Sequence, residues 1–156
     1  FLIDVFKSVH DKNRNSKLLL VGTGNGQSNI REKVDDLGLS DSVIFLGNRG
    51  DVNRILQAMD VFLFPSLYEG LGIAALEAQA AGLPCIISDS VPSECRVTDL
   101  AESLDLNLPI DEWADVVLEK QSTIRKNTID DIKKSGFDVK QNVVKLEEFY
   151  LNSVEE

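Results

Sequence analysis

The stretch PSLYEGLGIAALEAQAAGLP, residues 65–84, decides how the chain is expected to fold. It follows an apolar run at residues 61–64 that is typical of a buried strand. Gly70 and Gly72 then open an alanine-rich helix, which a Gly-Leu-Pro sequence closes. The pattern therefore predicts a strand, a glycine turn and the start of a helix, in that order.

The start of this helix is suited to an anion. The first N–H groups of a helix have no partner within it, and the helix dipole places about half a positive charge there. Gly70 and Gly72 have no side chain to keep a ligand away from the backbone. We therefore expect residues 70–73 to lie against an anionic group such as a phosphate.

Two glutamates border the same place. Side chains lean towards the N-terminus of their helix, so Glu77 is expected to lie over Ile73, while Glu69 stands on the loop just before the helix. A carboxylate accepts hydrogen bonds only, which makes it a poor partner for phosphate and a good one for neighbouring hydroxyls. The implied ligand has phosphates in its middle and hydroxyl groups on both sides, as a nucleotide-sugar does.

The same stretch, continued as far as CIISD, resembles the donor-binding motif of retaining glycosyltransferases of the GT-B fold, and specifically of family 4, whose members build bacterial polysaccharides. The E-x7-E pattern of that family falls on Glu69 and Glu77. The resemblance implies that Glu77 holds the ribose hydroxyls and that Glu69 contacts the donor sugar as the catalytic residue. It also implies that the diphosphate lies on the backbone of Gly70, Leu71, Gly72 and Ile73.

The composition restricts the partners. The chain has 156 residues and a formal net charge of −10, which argues against nucleic acid and against a direct contact with anionic membranes. A single domain is expected at this length. No apolar run is long enough to span a membrane and no signal peptide is recognisable, so the sequence predicts a cytoplasmic protein, with the full-length enzyme peripheral to the inner membrane face.

The chain offers few candidates for metal or thiol chemistry. Cys85 and Cys95 have neither metal-ligand spacing nor companion ligands, and we expect both to be reduced and partly buried. His10 is expected to lie exposed at a charged helix end, far from either cysteine. Neither a metal nor another cofactor is predicted, and the resemblance likewise implies transfer without a metal ion.

Apolar runs and helical patterns alternate along the chain. The sequence predicts strands at residues 16–22, 43–46, 61–64, 85–88 and 103–106 and helices at 1–13, 27–37, 51–59, from Asp111 onwards, in the segment up to Ser135, and at 139–154. Alternation of this kind predicts a Rossmann-like, doubly wound parallel sheet of the α/β class, with ligands beyond the carboxyl ends of the strands. Four loops are expected there: 22–26, 47–50, 66–72 and 89–94.

Two of these loops carry further candidates. Gly22 and Gly24 either line the donor cleft, as the family resemblance implies, or only form a tight turn. Asn48 and Arg49 lie where related enzymes read the nucleobase. Arg49 is expected either to contact a base or phosphate or to pair with Asp51, which is also the expected cap of the helix that follows.

The resemblance covers nearly the whole chain but corresponds only to the C-terminal, donor-binding half of a GT-B enzyme. It implies a first strand and an N-terminal acceptor-binding domain beyond this sequence, and a crossover helix at residues 139–154 that packs on that domain. The first strand would be the central one of the doubly wound order, so the sheet of this chain is expected to be incomplete or to have its gap filled from elsewhere. The resemblance also implies two cations beyond this sequence that neutralise the diphosphate. The chain alone is therefore expected to be inactive. The function implied is transfer of a sugar, from a UDP-sugar, to a growing polysaccharide or lipid-linked glycan, with capsules and exopolysaccharides as typical products.

Two other functions remain open on the sequence. One is a nucleotide-sugar epimerase or a phosphorylase of the same architecture. The other is a non-catalytic α/β module, such as a response-regulator receiver. The latter needs an acidic pair after the first strand, a phosphorylated Asp at the end of a later strand and a Lys further on. Gly22 and Pro65 occupy the strand ends where these acids would be needed.

Overall fold

The computed structural model describes residues 1–153, and these form an α/β unit in which every strand pair is parallel. The strands are β1 (Leu18–Val21), β2 (Val43–Gly47), β3 (Phe62–Phe64), β4 (Cys85–Ser88) and β5 (Ala101–Leu104). The helices are α1 (Leu2–Lys12), α2 (Gln27–Asp36), α3 (Val52–Gln57), α4 (Ile73–Ala80), α5 (Ile110–Lys120), α6 (Ile129–Lys134) and α7 (Val139–Asn152), with a short 3₁₀ helix at Ser93–Cys95.

The strands form two sheets instead of one, which agrees with the incomplete sheet that the family resemblance implied. β1 pairs with β2, while β3, β4 and β5 form a separate sheet in that order. Within residues 1–153, β1 and β3 are not hydrogen-bonded to each other. Leu18 and Leu19 of β1, Leu63 of β3 and Val61 just before β3 instead line one cavity of about 490 Å³. The order β2–β1–gap–β3–β4–β5 is that of a doubly wound sheet without its central strand.

Helix α1 connects the two sheets across this gap. Phe6 packs in the cluster that contains Val43 of β2, whereas Val5 packs in the cluster of Ile86 and Trp113 on the other side. The residues that precede β1 and β3 line the same cavity, so the two strands begin side by side. Their carboxyl ends therefore point the same way, which is the condition for one shared binding edge.

Helix α4 lies on the second sheet because its inner face is small and apolar. Ala75, Leu76 and Ala78 are buried in one cluster with Ile87 of β4. The helix ends at Ala80, and Gly82, which was predicted to close it, follows two residues later with a φ of +70°. Its amide bonds the carbonyl of Gln79, and the left-handed conformation is one that glycine adopts without strain.

Several boundaries differ from those expected. β1 begins at Leu18 and β3 at Phe62, each inside the apolar run that predicted it. β5 spans Ala101–Leu104 instead of 103–106, because its register on β4 pairs Ala101 with Cys85 and Leu104 with Ser88. No helix of the described residues is long and apolar enough to cross a membrane.

The expected exposure of His10 is wrong. Its side chain is 9% exposed, its ring lies 5.8 Å from that of Phe6, and its Nδ1 lies 3.4 Å from the Oγ of Ser16. Although the neighbours of His10 in sequence are charged, His10 lies on the side of the last turn of α1 that is covered by the chain leading to β1.

Helix α7 contributes no buried residue. It is capped by Asp138, whose side chain accepts a hydrogen bond from the amide of Lys140. Its predicted apolar side is exposed, with 64% of Phe149 and 62% of Tyr150 open to solvent. The helix ends at Asn152, and Val154, the last residue of the predicted helix, lies outside the described residues.

Candidate functional site

The start of α4 has the conformation that the glycine pair predicted. Gly72 is the N-cap residue, in the left-handed region with a φ of +82°, and no side chain caps the helix. Its carbonyl accepts from the amides of Ala75 and Leu76. Within residues 1–153, the amides of Ile73 and Ala74 have no hydrogen-bond acceptor. Two free N–H groups at a helix start form a place for an anion.

Gly72 is in contact with the loop that follows β4. The thiol of Cys95 lies 3.4 Å from the carbonyl oxygen of Gly72, to which it donates a weak hydrogen bond. A Cβ atom at Gly72 would lie 3.1 Å from both Cys95 Sγ and Val91 Cγ1. The glycine is therefore required both for its backbone conformation and for this close contact.

Glu69 is fixed by two serines at the strand ends. Its Oε1 accepts a hydrogen bond of 2.8 Å from the hydroxyl of Ser66. The hydroxyl of Ser88, the last residue of β4, in turn donates to the carbonyl of Ser66. Glu69 is half-buried, and its carboxylate therefore stands in a defined position beside the start of α4.

Glu77 lies on the open side of the same helix. It is exposed, as is Ile73 four residues earlier, and a spacing of four places both on one face. No hydrogen bond or ion pair of the described residues involves the carboxylate of Glu77. Both predicted acids thus border the first turn of α4, and Glu77 is available for a ligand.

A second group of predicted residues comes together at the end of the other sheet. Gly22 donates from its amide to the carbonyl of Gly47 over 2.8 Å, and Thr23 Oγ1 lies 3.2 Å from Asn48 Oδ1. Gly24 is exposed in the same turn. These loops follow β1 and β2, whereas Glu69 and the start of α4 follow β3, so the two groups lie on either side of the gap between the sheets.

Arg49 forms an ion pair with its near neighbour. Its Nε and Nη2 donate to the two carboxylate oxygens of Asp51, each over 2.8 Å. The hydrogen bond from Arg49 lowers the pKa of Asp51. The expectation that Asp51 caps α3 through its side chain is wrong, because this carboxylate is occupied. The pair is exposed and contributes little to stability, so a ligand can compete for the guanidinium.

Both cysteines are fully buried rather than partly buried, and neither forms a disulfide. Burial raises the pKa of the Cys85 thiol. Burial also raises the pKa of Cys95, and the negative charge of Glu69 adds to this effect. Thiols that stay protonated are poor nucleophiles, so both act as small packing groups.

Metal ligands are not grouped in the described part of the chain, where no three His, Cys, Asp or Glu side chains lie close enough to share an ion.

Three features of the site were not predicted from the sequence. They are the free amide of Ala74, the hydrogen bonds from Ser66 and Ser88 that orient Glu69, and the contact of Cys95 with Gly72.

Residues 1–103 match the family model described as Glycosyl transferases group 1. The whole motif at residues 65–84 lies within this match. The matched region also contains all five strands apart from the last residue of β5, and both groups of candidate site residues.

Two curated proteins are similar to nearly the whole chain. EpsF of Bacillus subtilis (strain 168), named as a glycosyltransferase, is 34% identical over 162 residues, which cover 99% of this chain and 41% of that protein. The UDP-Gal:alpha-D-GlcNAc-diphosphoundecaprenol alpha-1,3-galactosyltransferase of Escherichia coli is 32% identical over 145 residues, with coverages of 89% and 38%. The chain thus spans about two fifths of the length of these relatives.

The fold is also found among solved structures. The pneumococcal O-GlcNAc transferase GtfA, crystallised with UDP and GlcNAc, superposes with a TM-score of 0.77 at 19% identity. The superposition covers 99% of this chain, helix α7 included, and 33% of that protein. At this identity the similarity establishes the fold.

Proposed function

The chain belongs to the glycosyl transferases group 1 family and has the GT-B type of α/β fold, and on that premise we propose that it is the donor-binding domain of a retaining glycosyltransferase of family 4. The substrate proposed is a nucleotide-sugar, with UDP as its nucleotide. The sugar is transferred to a growing polysaccharide or a lipid-linked glycan. Both relatives described above carry names of glycosyltransferases, and one of those names contains a UDP-sugar and a lipid-linked acceptor.

The observation that carries this proposal is the first turn of α4. The amides of Ile73 and Ala74 are free, and an acid stands on either side of them, Glu69 on the loop before the helix and Glu77 on its exposed face. A diphosphate on these amides, together with the backbone of residues 70–72, places hydroxyl-bearing groups at both of its ends within reach of the carboxylates.

The first contribution proposed for this geometry is stabilisation of the diphosphate as it leaves the sugar. During transfer, the bond between the anomeric carbon of the sugar and a diphosphate oxygen breaks, and that carbon bonds to the oxygen of the acceptor hydroxyl. The proton of this hydroxyl passes to the departing diphosphate, on which negative charge accumulates. Amides that already point at this position stabilise the charge without reorganisation. We propose that this stabilisation does not require a metal ion and that cations from outside this chain contribute to it.

Glu69 is the proposed catalytic residue. Its carboxylate is oriented by the hydrogen bond from Ser66 before any ligand arrives, and it accepts hydrogen bonds from hydroxyls of the transferred sugar. Fixing the sugar relative to the acceptor hydroxyl is the contribution proposed for it. Glu77 is proposed to bind the two ribose hydroxyls, which belong to the nucleotide and do not react.

The loops after β1 and β2 are proposed to complete the donor site. Gly22 and Gly24 offer exposed backbone beside the gap, and Asn48 and Arg49 follow β2 on the same edge. The base of the nucleotide is expected there. Binding by Arg49 requires the guanidinium to turn away from Asp51, which the exposed ion pair allows.

A partner domain that binds the acceptor is proposed for the whole enzyme, because the chain corresponds to about two fifths of its relatives and its described residues form one α/β unit. Without that domain the chain is expected to bind the donor and not to transfer sugar. We propose a cytoplasmic location, with the complete enzyme at the inner face of the membrane where lipid-linked acceptors are present.

A calorimetric titration of the complete protein with UDP, GDP and ADP tests this proposal. We expect UDP to bind with a one-to-one stoichiometry and more tightly than the other two. Tighter binding of GDP or ADP would support the proposed site but show that its nucleotide is not UDP. If none of the three binds, the site has no support.

A further inference from the structure

Gln79 is a polar side chain buried in the apolar face of α4. It is 0% exposed, and it lies among alanines and leucines two residues after Glu77. Its Nε2 donates to the carbonyls of Ala75 (3.0 Å) and Cys95 (2.7 Å). Its Oε1 accepts from the amides of Val97 and Thr98, each over 3.1 Å, and from the hydroxyl of Thr98 over 3.0 Å. Every polar atom of the side chain is therefore paired.

Four of these five hydrogen bonds leave the helix. They all reach residues 95–98, the end of the loop that follows β4. An amide buried without partners is unfavourable, so the bonds hold the side chain and this loop in one arrangement. Gln79 thus ties the loop to the middle of α4.

The tied loop contacts the start of the same helix. Cys95, whose carbonyl accepts from Gln79, also places its thiol against the carbonyl of Gly72. Val91 in the same loop leaves no room for a side chain at residue 72, since a Cβ atom there would lie 3.1 Å from Val91 Cγ1. A continuous series of contacts therefore runs from Gln79 through Cys95 to the residue that aims the free amides of α4.

We infer that Gln79 is a positioning residue for the nucleotide-sugar site, acting through Cys95 on Gly72. It touches no ligand itself. It sets the distance between the first turn of α4 and the loop at residues 89–98, and with it the direction of the amides of Ile73 and Ala74. The inference rests on the proposed function for its ligand, but the mechanical link can be tested without any ligand.

The test uses the complete protein with three substitutions. Gln79→Met keeps the length of the side chain and removes all four bonds to the loop. Cys95→Ala leaves the side-chain bonds of Gln79 in place and removes the thiol, with its contact to the Gly72 carbonyl and its packing in the apolar cluster of α4. Trp113→Phe is the control, since it removes one buried hydrogen bond, from the indole to the carbonyl of Asp105, in a cluster that does not include α4.

Hydrogen exchange is the first measurement. The amides of Ala75 and Leu76 bond the carbonyl of Gly72, so their exchange reports the first turn of α4. We expect Gln79→Met and Cys95→Ala to accelerate it, and Trp113→Phe to leave it unchanged at a similar loss of melting temperature. Unchanged exchange in Gln79→Met would overturn the inference.

Affinity for UDP is the second measurement. Misplacing a binding group by about 1 Å lowers catalysis by roughly a hundredfold, and we expect a weakening of binding of about ten- to a hundredfold in Gln79→Met. The same affinity in Gln79→Met and Trp113→Phe would refute a role in the site. If the unsubstituted protein binds neither UDP, GDP nor ADP, the proposed function fails, while the exchange measurement still decides whether Gln79 positions the helix.

Discussion

Ser66 and Glu69 are joined by a hydrogen bond of 2.8 Å from hydroxyl to carboxylate, directly beside the free amides of α4. Ser66 is itself held by Ser88 at the end of the neighbouring strand. The orientation of the acid is therefore a consequence of the parallel pairing of β3 with β4, and it exists without a ligand.

This relationship predicts that Glu69→Ala lowers kcat more than it weakens donor binding. Ser66→Ala is expected to lower kcat by about ten- to a hundredfold, because a hydrogen bond to a charged group contributes about 1.5–3 kcal/mol and each 1.4 kcal/mol is about a factor of ten. Steady-state kinetics of the complete enzyme measures both. The control is Ser40→Ala, which removes the same kind of bond, to Asp35, at the far side of α2. Equal effects of Ser66→Ala and Ser40→Ala would contradict the assigned role.

Glu77→Gln is expected to weaken UDP binding by about tenfold and to leave the melting temperature unchanged. The carboxylate is exposed and makes no bond in the described residues, so the substitution removes only contacts with a ligand. An amide retains one acceptor where the carboxylate offers two. Calorimetry measures the difference, with Glu112→Gln on the exposed face of α5 as the control. Wild-type affinity in Glu77→Gln would remove Glu77 from the site.

Gly82→Ala is expected to destabilise the protein more than Gly38→Ala. Both glycines have positive φ values, +70° and +67°, so each substitution carries the backbone penalty of about 1–2 kcal/mol. At Gly82 the new Cβ would also collide with the carbonyl oxygen of Lys126, whereas nothing lies near Gly38. The additional loss is about 1–3 kcal/mol, measured by denaturant unfolding. Equal losses would show that residues 125–128 do not lie against the end of α4.

Alkaline pH is expected to destabilise the protein through its two thiols. Burial raises the pKa of Cys85 and Cys95, so both stay protonated in the folded state where thiols of the unfolded chain, with a pKa of about 8.5, ionise. Above that pH the folded state binds more protons, and the free energy of unfolding decreases as pH rises. The slope reaches up to about 1.4 kcal/mol per pH unit for each thiol.

Urea unfolding between pH 8 and 9.5 measures this slope. The variant in which both Cys85 and Cys95 are alanine has lower stability throughout, but its stability is expected to depend less on pH in this interval. The same slope in both proteins would mean that other groups cause the dependence.

The sequence predicted those parts of the site that depend on local chemistry. Gly70 and Gly72 were expected to open α4, and Gly72 is its N-cap residue. Gly82 was likewise expected to close α4, because helices often end at a glycine in the left-handed conformation. The spacing of Glu69 and Glu77 was sufficient to place both acids beside one helical turn.

Features that depend on distant contacts were not predictable in this way. The bonds of Gln79 reach residues 95–98, and the burial of His10 depends on the return of the chain at Ser16. β5 was shifted by two residues because Ala101–Leu104 has no apolar run, and only its pairing with β4 defines its ends. The gap between the two sheets was expected only from the family resemblance, because the order of apolar runs in a sequence does not show which strands are neighbours.

The structure of the complete protein with UDP tests the central claim most directly. We predict diphosphate oxygens within about 2.7–3.2 Å of the backbone nitrogens of Ile73 and Ala74, with the ribose hydroxyls on the carboxylate of Glu77. Glu69 is predicted to remain bonded to Ser66 and to face the place of the sugar. A nucleotide bound away from the first turn of α4, with these two amides still facing solvent, would contradict the claim.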